Sequence, residues 1–304
     1  MLFRSSGAAA RSETTVTWFI SENNPAQTVW QRDVAQRYEA SHPGTKIAVQ
    51  VAAGEPYKAK LTTMLQSRDR PHLIYSWGGG VLFAQVEAGF LQDISAQMKG
   101  AWADTFSPAA LDVMSYKGKI YGAPFQATKV VLWYDKPLLA QAGVDPKSLD
   151  TWDGMLDATK QLKAAGITPF VVGGGIKWPL NMFWACLAVR IGGKQAFMDA
   201  MNRAGPGFDG PVFLQASEKF KQLIDLEPFQ KGFLVDTMAE ASGMFGDGKA
   251  AMQLMGNWAY SVQKTQSVSQ KGIADADLGW LPCPQVVGGK GDPSDAFGGT
   301  TVSW

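Results

Sequence analysis

Between Thr14 and Gly89 short β-branched or aromatic runs alternate with amphipathic segments, and this alternation restricts the fold more than any other feature. Thr14–Ser21 (TTVTWFIS) reads as a strand. After Glu22-Asn23-Asn24-Pro25, with Asn24 as N-cap and Pro25 at the first helical position, a helix carries Val29, Trp30, Val34 and Tyr38 on one stripe. Ser41-His42-Pro43-Gly44 stops it. Lys46–Ala52 is a second strand, and Tyr57, Leu61, Met64 and Leu65 mark a second helix. Leu73–Trp77 is a third strand, and Gly78-Gly79-Gly80 turns into a helix through Leu82, Phe83 and Val86. Strand–helix repetition of this kind implies a mostly parallel, doubly wound α/β sheet.

The pattern loosens further on. Ile120–Pro124 and Val130–Tyr134 read as strands separated by Gln126–Lys129. Asp135–Ala142 is a short helix ended by Gly143, and Thr151 caps a longer one ended by Gly166. Thr168–Val172 reads as a strand leading into Gly173-Gly174-Gly175. Leu180–Ile191, Ala196–Met201 and a segment begun by Asp209-Gly210-Pro211 read as helices. Phe245–Lys249 turns into the strand Ala250–Met255, and Leu278–Leu281 is another. Phe297–Trp304 begins one more, and a chain stopping in mid-strand leaves backbone groups unpaired, so truncation is expected.

With 46% hydrophobic and 18% charged residues over 304 positions, the chain can build a large core or two domains. A net charge of +1 makes no electrostatic case for nucleic acid or an anionic membrane. The two cysteines, Cys186 and Cys283, are too far apart in sequence to suggest a disulfide framework or a zinc motif. Cys186, among Phe183, Trp184 and Leu187, reads as a buried free thiol. No apolar run reaches the roughly 18 residues of a membrane span. Residues 1–13 lack an apolar signal core and read as disordered, or as the remnant of a signal peptide or cloning scar.

Catalytic patterns are scarce. His42 lies in a turn and His72 at a strand edge, and no G-x-S-x-G elbow accompanies them. No ligand spacing suggests zinc, and the two glycine triplets lack Walker or dinucleotide signatures, so neither metal nor cofactor is expected. The triplets read instead as turns that let a ligand approach the backbone. Binding is better served. Most of the 11 tryptophans belong to core packing, Trp30, Trp102 and Trp152 among them. Trp77, Trp178 and Trp258, however, fall at strand ends and loop starts, where α/β sheets hold ligands and flat rings can stack on sugars.

Five segments in order carry a family resemblance: WQRDVAQRYEASHPGTKIAVQV (Trp30–Val51), PHLIYSWGGGVLFAQVEAGFLQDIS (Pro71–Ser95), the stretch Tyr116–Phe170, FGDGKAAMQLMGNWA (Phe245–Ala259) and LGWLPCPQVVGG (Leu278–Gly289). Together they resemble the sugar-type extracellular solute-binding proteins of ATP-binding-cassette importers. The resemblance implies a two-lobed periplasmic-binding-protein-like fold, doubly wound sheets joined by hinge strands, with ligand in the interlobe cleft and hinge closure as mechanism. Lobe one would be 14–125 plus 281–304, lobe two 130–277, with crossings at 126–129 and 278–280. Ligand contacts carried over are Glu22, Asn23, Trp77, Gly78, Gln126, Thr128, Trp178, Asn181, Trp184, Asn257 and Trp258. Thr128 stands where relatives often place an acid or histidine. The implied protein is a periplasmic or extracellular monomer that takes a mono- or disaccharide to permease subunits, with no catalysis and no nucleic acid. Rival readings are a sugar-phosphate receptor using Arg190 or Arg203, a glycan hydrolase with facing carboxylates, and a truncated fragment without function.

Overall fold

The computed structural model describes residues 13–22 and 25–303. They form two compact units, one of residues up to Ala127 with the segment from Gly299, the other of Thr128–Gly298. The chain leaves the first unit within one strand and returns within another. Residues 281–298, expected with the first lobe, pack in the second unit.

In the first unit, β1 (Thr14–Glu22), α1 (Pro25–Ser41), β2 (Thr45–Ala53), α2 (Gly54–Gln66), β3 (Leu73–Trp77) and α3 (Gly80–Glu87) follow in sequence. β1 pairs in parallel with β2 and β3, as the alternation requires. The core holds Phe19, Tyr57, Leu61, Leu65, Ile74 and Tyr75. Helix α1 departs from expectation. Val29, Trp30 and Tyr38 are 68%, 48% and 46% exposed, and the buried face is Thr28, Gln31 and Ala35. Helical periodicity locates a stripe but not the side the sheet will cover, and here the sheet covers the i, i+3, i+7 row. The Thr28 hydroxyl and both amide atoms of Gln31 are buried without a hydrogen-bond partner among the described residues. Asn24, the expected N-cap, lies outside the described residues.

After α4 (Pro108–Val113) comes a tight hairpin, β4 (Ser115–Tyr116) and β5 (Lys119–Ile120). Its two central residues, Lys117 and Gly118, have φ of 49° and 77°, the doubly positive turn that matches strand twist. The strand expected at Ile120–Pro124 is therefore divided between β5 and the start of β6 (Pro124–Asp135). β6 runs unbroken through Gln126–Lys129, and the unit boundary falls inside it.

The second unit contains α5 (Lys136–Gln141), α6 (Trp152–Ala164), α7 (Trp178–Met201), α8 (Pro211–Ile224), α9 (Met238–Gly246), β7 (Met252–Gly256), α10 (Ala259–Thr265), β8 (Leu278–Pro282) and the first residue of β9 (Gly298–Ser303). β6 is its central strand, antiparallel to β7 on one side and to β8 on the other. The remainder of β9 pairs antiparallel with β3 in the first unit. Helix α7 is largely buried from Met182 to Gly193, and Gly193 (φ 74°, ψ 171°) breaks it. In 168–172, expected as a strand, Phe170 forms isolated bridges to Phe229 and Met252, and the Gln230 side chain takes both backbone bonds of Val172, at 3.0 and 2.8 Å. Helix α9 was not expected, although Thr237 and Glu240 carry the capping-box spacing that starts it. The bond from the Thr237 N–H holds the Glu240 carboxyl below its ordinary range.

The two cysteines are a plain correction. Cys186 is not free but disulfide-bonded to Cys283, at a sequence separation of 97 and with Cα atoms 6.0 Å apart. The segment after β8 folds back over α7 and brings them together, which no local spacing could signal.

Candidate functional site

Because β1, β2 and β3 are parallel, Glu22, Ala53 and Trp77 all lie at the carboxyl edge of the first unit's sheet. Glu22 is half-buried, and Asn23 lies outside the described residues. Trp77 is seated among aromatic rings. It meets Tyr75 edge-on at 5.5 Å and Tyr57 at 6.1 Å, and Lys58 Nζ lies 5.5 Å from its centroid. The Tyr57 hydroxyl donates to the Tyr75 carbonyl and contacts that of Phe19, which fixes α2 beneath this cluster. Gly78 lies against Val113, whose Cγ1 and O would be 2.4 and 2.7 Å from an added Cβ, so the approach at this glycine is made by the protein's own chain. Gln126 is half-buried on β6.

In the second unit Trp178 begins α7, Gly256 ends β7, and Trp258 follows it. The two indoles are half-buried, with centroids 6.3 Å apart and planes inclined at 54°. Lys177, just before Trp178, has φ 64° and ψ −48°, a costly conformation for a residue with a side chain. It is held by a bond from its N–H to Gly174 O at 3.0 Å and one to its carbonyl from Leu180 N–H at 3.1 Å. Asn181, exposed and three residues on, shares a helical face with Trp178. Asn257 N–H donates to Lys129 O at 2.9 Å, and Asn257 Oδ1 accepts from Lys129 N–H at 3.4 Å, so β7 and β6 clamp the turn that carries Trp258. Thr128 is half-buried at the edge of this unit.

Trp178, Asn181, Asn257 and Trp258 therefore lie on two adjoining element ends. Trp184 belongs elsewhere. Its Nε1 donates to Ser217 at 2.9 Å, and its ring stacks on Phe213 at 5.5 Å in a group with Phe208. The triplet Gly173–Gly175, expected to admit a ligand, instead admits the chain's own backbone. Added Cβ atoms would lie 2.4 Å from Met238 N, 2.7 Å from Phe233 O and 2.6 Å from Val235 O. Arg190 is fully buried and, among the described residues, donates to the backbone carbonyls of Cys283, Asp292, Asp295 and Pro293. His42 stacks on Tyr38 and His72 bonds Thr17. Among the described residues, no three His, Cys, Asp or Glu side chains are grouped to hold a metal ion. The braced Lys177 was not anticipated.

The chain belongs to the bacterial extracellular solute-binding protein family, whose signature it matches over residues 21–304. Membership places it in the periplasm or outside the cell, where a buried disulfide is at home. It is similar to an uncharacterized ABC transporter extracellular-binding protein of Pyrococcus horikoshii, 24% identical over 84% of this chain. It spans 57% of the length of that relative. Among solved structures it resembles one from work on xylan utilization by Caldanaerobius polysaccharolyticus, with a TM-score of 0.85 and 28% identity over 95% of this chain and 72% of that one. It also resembles a chitin oligosaccharide binding protein, with a TM-score of 0.79 and 25% identity over the same shares. The fold is thus the two-lobed α/β architecture of solute-binding proteins.

Proposed function

We propose that the chain binds carbohydrate without transforming it and serves as the receptor of an ATP-binding-cassette importer. The observation that carries this reading is the Trp178–Trp258 pair, half-buried at 6.3 Å with Asn181 and Asn257 beside it. Apolar ring faces with a few fixed polar groups match a saccharide, whose C–H faces are apolar and whose hydroxyls need directed partners. Glu22 and Trp77 of the first unit are the next candidates, a carboxylate for hydroxyl groups and a third ring. Relatives associated with xylan and with chitin oligosaccharides support an oligosaccharide of β-linked sugars over an ion or peptide.

The sugar-phosphate alternative is weakened by the arginines. Arg190 spends its donors on backbone carbonyls, and Arg203 lies past the opposite end of α7 from Trp178. The receptor acts as a monomer, presents its ligand to membrane subunits and has no dealings with nucleic acid. Titration with xylo- and chito-oligosaccharides and with a panel of mono- and disaccharides, read by calorimetry and tryptophan fluorescence, tests this. Saturable binding of at least one sugar is expected, weakened tenfold or more by Trp258→Ala, a loss of about 1.4 kcal/mol or more. No binding by any sugar, or release of reducing ends on incubation, overturns the proposal.

A further inference from the structure

Gly256 closes β7 opposite Val130, in the last pair of the β6–β7 ladder, where a side chain would ordinarily stand. A Cβ built there would lie 1.9 Å from Trp258 Cζ3, 2.2 Å from Cη2 and 2.3 Å from Cε3. The six-membered part of the indole therefore occupies the volume of the missing side chain. Glycine is often retained because the backbone needs a positive φ, but Gly256 is not among the positive-φ residues, so any L-residue could adopt its backbone. Glycine inside a strand has an entropic cost and adds nothing to packing. The tryptophan alone accounts for it.

The neighbouring bonds make the seat rigid. Trp133 Nε1 donates to Gly256 O at 3.4 Å, and Asn257 is clamped to Lys129 through backbone and side chain. Between those anchors the indole has one place to fold, back over Gly256, and that places it 6.3 Å from Trp178. We infer that Gly256 is a positioning residue that sets the angle of the Trp178–Trp258 pair, and through it which saccharides the pair accepts. The second half of this inference rests on the carbohydrate-binding reading, whereas the first does not. With a methyl group at position 256 the indole must leave its seat, and the pair must open or tilt.

Gly256→Ala, Trp258→Ala and Trp178→Ala, with the double variants, test both halves. Two indoles this close couple their excited states, so the circular dichroism difference between wild type and Trp178→Ala should contain a couplet. The couplet is expected to vanish in the Gly256→Ala background. For any sugar the wild type binds, Gly256→Ala is expected to cost tenfold or more in affinity, with no further loss when added to Trp258→Ala. Gly256→Ala should also lower the thermal midpoint of the wild type but not that of Trp258→Ala, whose cavity accepts the methyl group. If Gly256→Ala unfolds the protein outright, restored folding in Gly256→Ala/Trp258→Ala supports the seat. An unchanged couplet, or equal destabilisation with and without the Trp258 ring, overturns it. If the wild type binds no sugar, the carbohydrate reading fails, while the couplet and midpoints still decide the role of Gly256.

Discussion

Arg190 donates from Nε to the carbonyl oxygen of Cys283 at 3.0 Å, and Cys186, one turn earlier on α7, is covalently bonded to that same residue. The guanidinium also bonds the carbonyls of Asp292 at 2.6 Å, Asp295 at 2.8 Å and Pro293 at 3.3 Å. One helical face thus holds the whole segment between β8 and β9 to the second unit. Burial pushes the Arg190 pKa down, with Asp295 and Asp292 opposing the shift.

Arg190→Met keeps most of the side-chain volume and leaves these carbonyls without their donor. The acceptor of Cys283 is buried whereas Asp292 and Pro293 are exposed, so the loss comes mainly from the former and a total of about 3 kcal/mol is expected. Urea unfolding should show a lower midpoint with an unchanged slope, and limited proteolysis should cut within 283–297. A wild-type midpoint would refute the clamp.

Breaking the Cys186–Cys283 bond frees a loop of 97 residues in the unfolded chain. The chain-entropy account assigns such a closure about 4.7 kcal/mol. Thermal melts with and without reductant, and of Cys186→Ala/Cys283→Ala, should both show the destabilisation. Free-thiol titration of the unfolded, unreduced protein should find none, and two thiols there would reject the pairing.

Tyr57→Phe removes the hydroxyl that bridges the backbones of β1 and β3 beneath Trp77. The lost hydrogen bond carries a cost of about 1 kcal/mol. Chemical denaturation measures it. The loss should appear with any sugar affinity changed far less than in Trp258→Ala.

Asp135 supplies a dependence on pH. Burial raises its carboxyl pKa, the Leu138 N–H bond lowers it, and Asp277 raises it further, for a net rise. The folded protein therefore holds this proton more tightly than the unfolded chain, where aspartate titrates near about 3.9. Between the unfolded value and the raised folded one, the native state binds more protons, so the contribution to stability falls as pH rises. Asp135→Asn retains an acceptor for Leu138 N–H and removes the titration. Its thermal midpoint should gain on wild type at pH 7 and gain little at pH 3. Equal differences at both values would contradict the assignment.

Trp184 and Trp258 should separate in their effects. Trp184→Ala removes a ring stacked on Phe213 and bonded to Ser217, at a cost of about 3 kcal/mol, and should leave sugar affinity near wild type. Trp258→Ala should lose affinity in addition to the packing its ring makes on Gly256. Calorimetric binding beside thermal melts of the two variants checks the contrast.

The parallel order of β1, β2 and β3 was legible because period-two and period-3.6 runs alternate there and because such connections have one favoured hand. The Thr151 cap was legible as a local signal, and the Thr237–Glu240 box was equally so, though α9 was not anticipated. Less could be read where long-range contacts decide. The inward face of α1 is Thr28, Gln31 and Ala35, against the apolar stripe of Trp30, Val34 and Tyr38. In 168–172, Phe170 forms isolated bridges and Val172 bonds the Gln230 side chain. Of the candidate ligand residues, Trp178 and Trp258 meet, while Trp184 turns to α8, a difference set by which way a helix faces.

By itself the sequence determined the α/β class, the first three strands and the family, since these depend on local periodicity and on motif order. Tertiary structure alone decided that Cys186 meets Cys283, that Arg190 grips carbonyls and not an anion, and that the glycine triplet packs on its own chain. It also decided that Trp258 rests on Gly256. All four are contacts through space or about a bent chain, governed by excluded volume and by the demand that buried polar groups find partners. Neither constraint leaves a periodic trace along the chain.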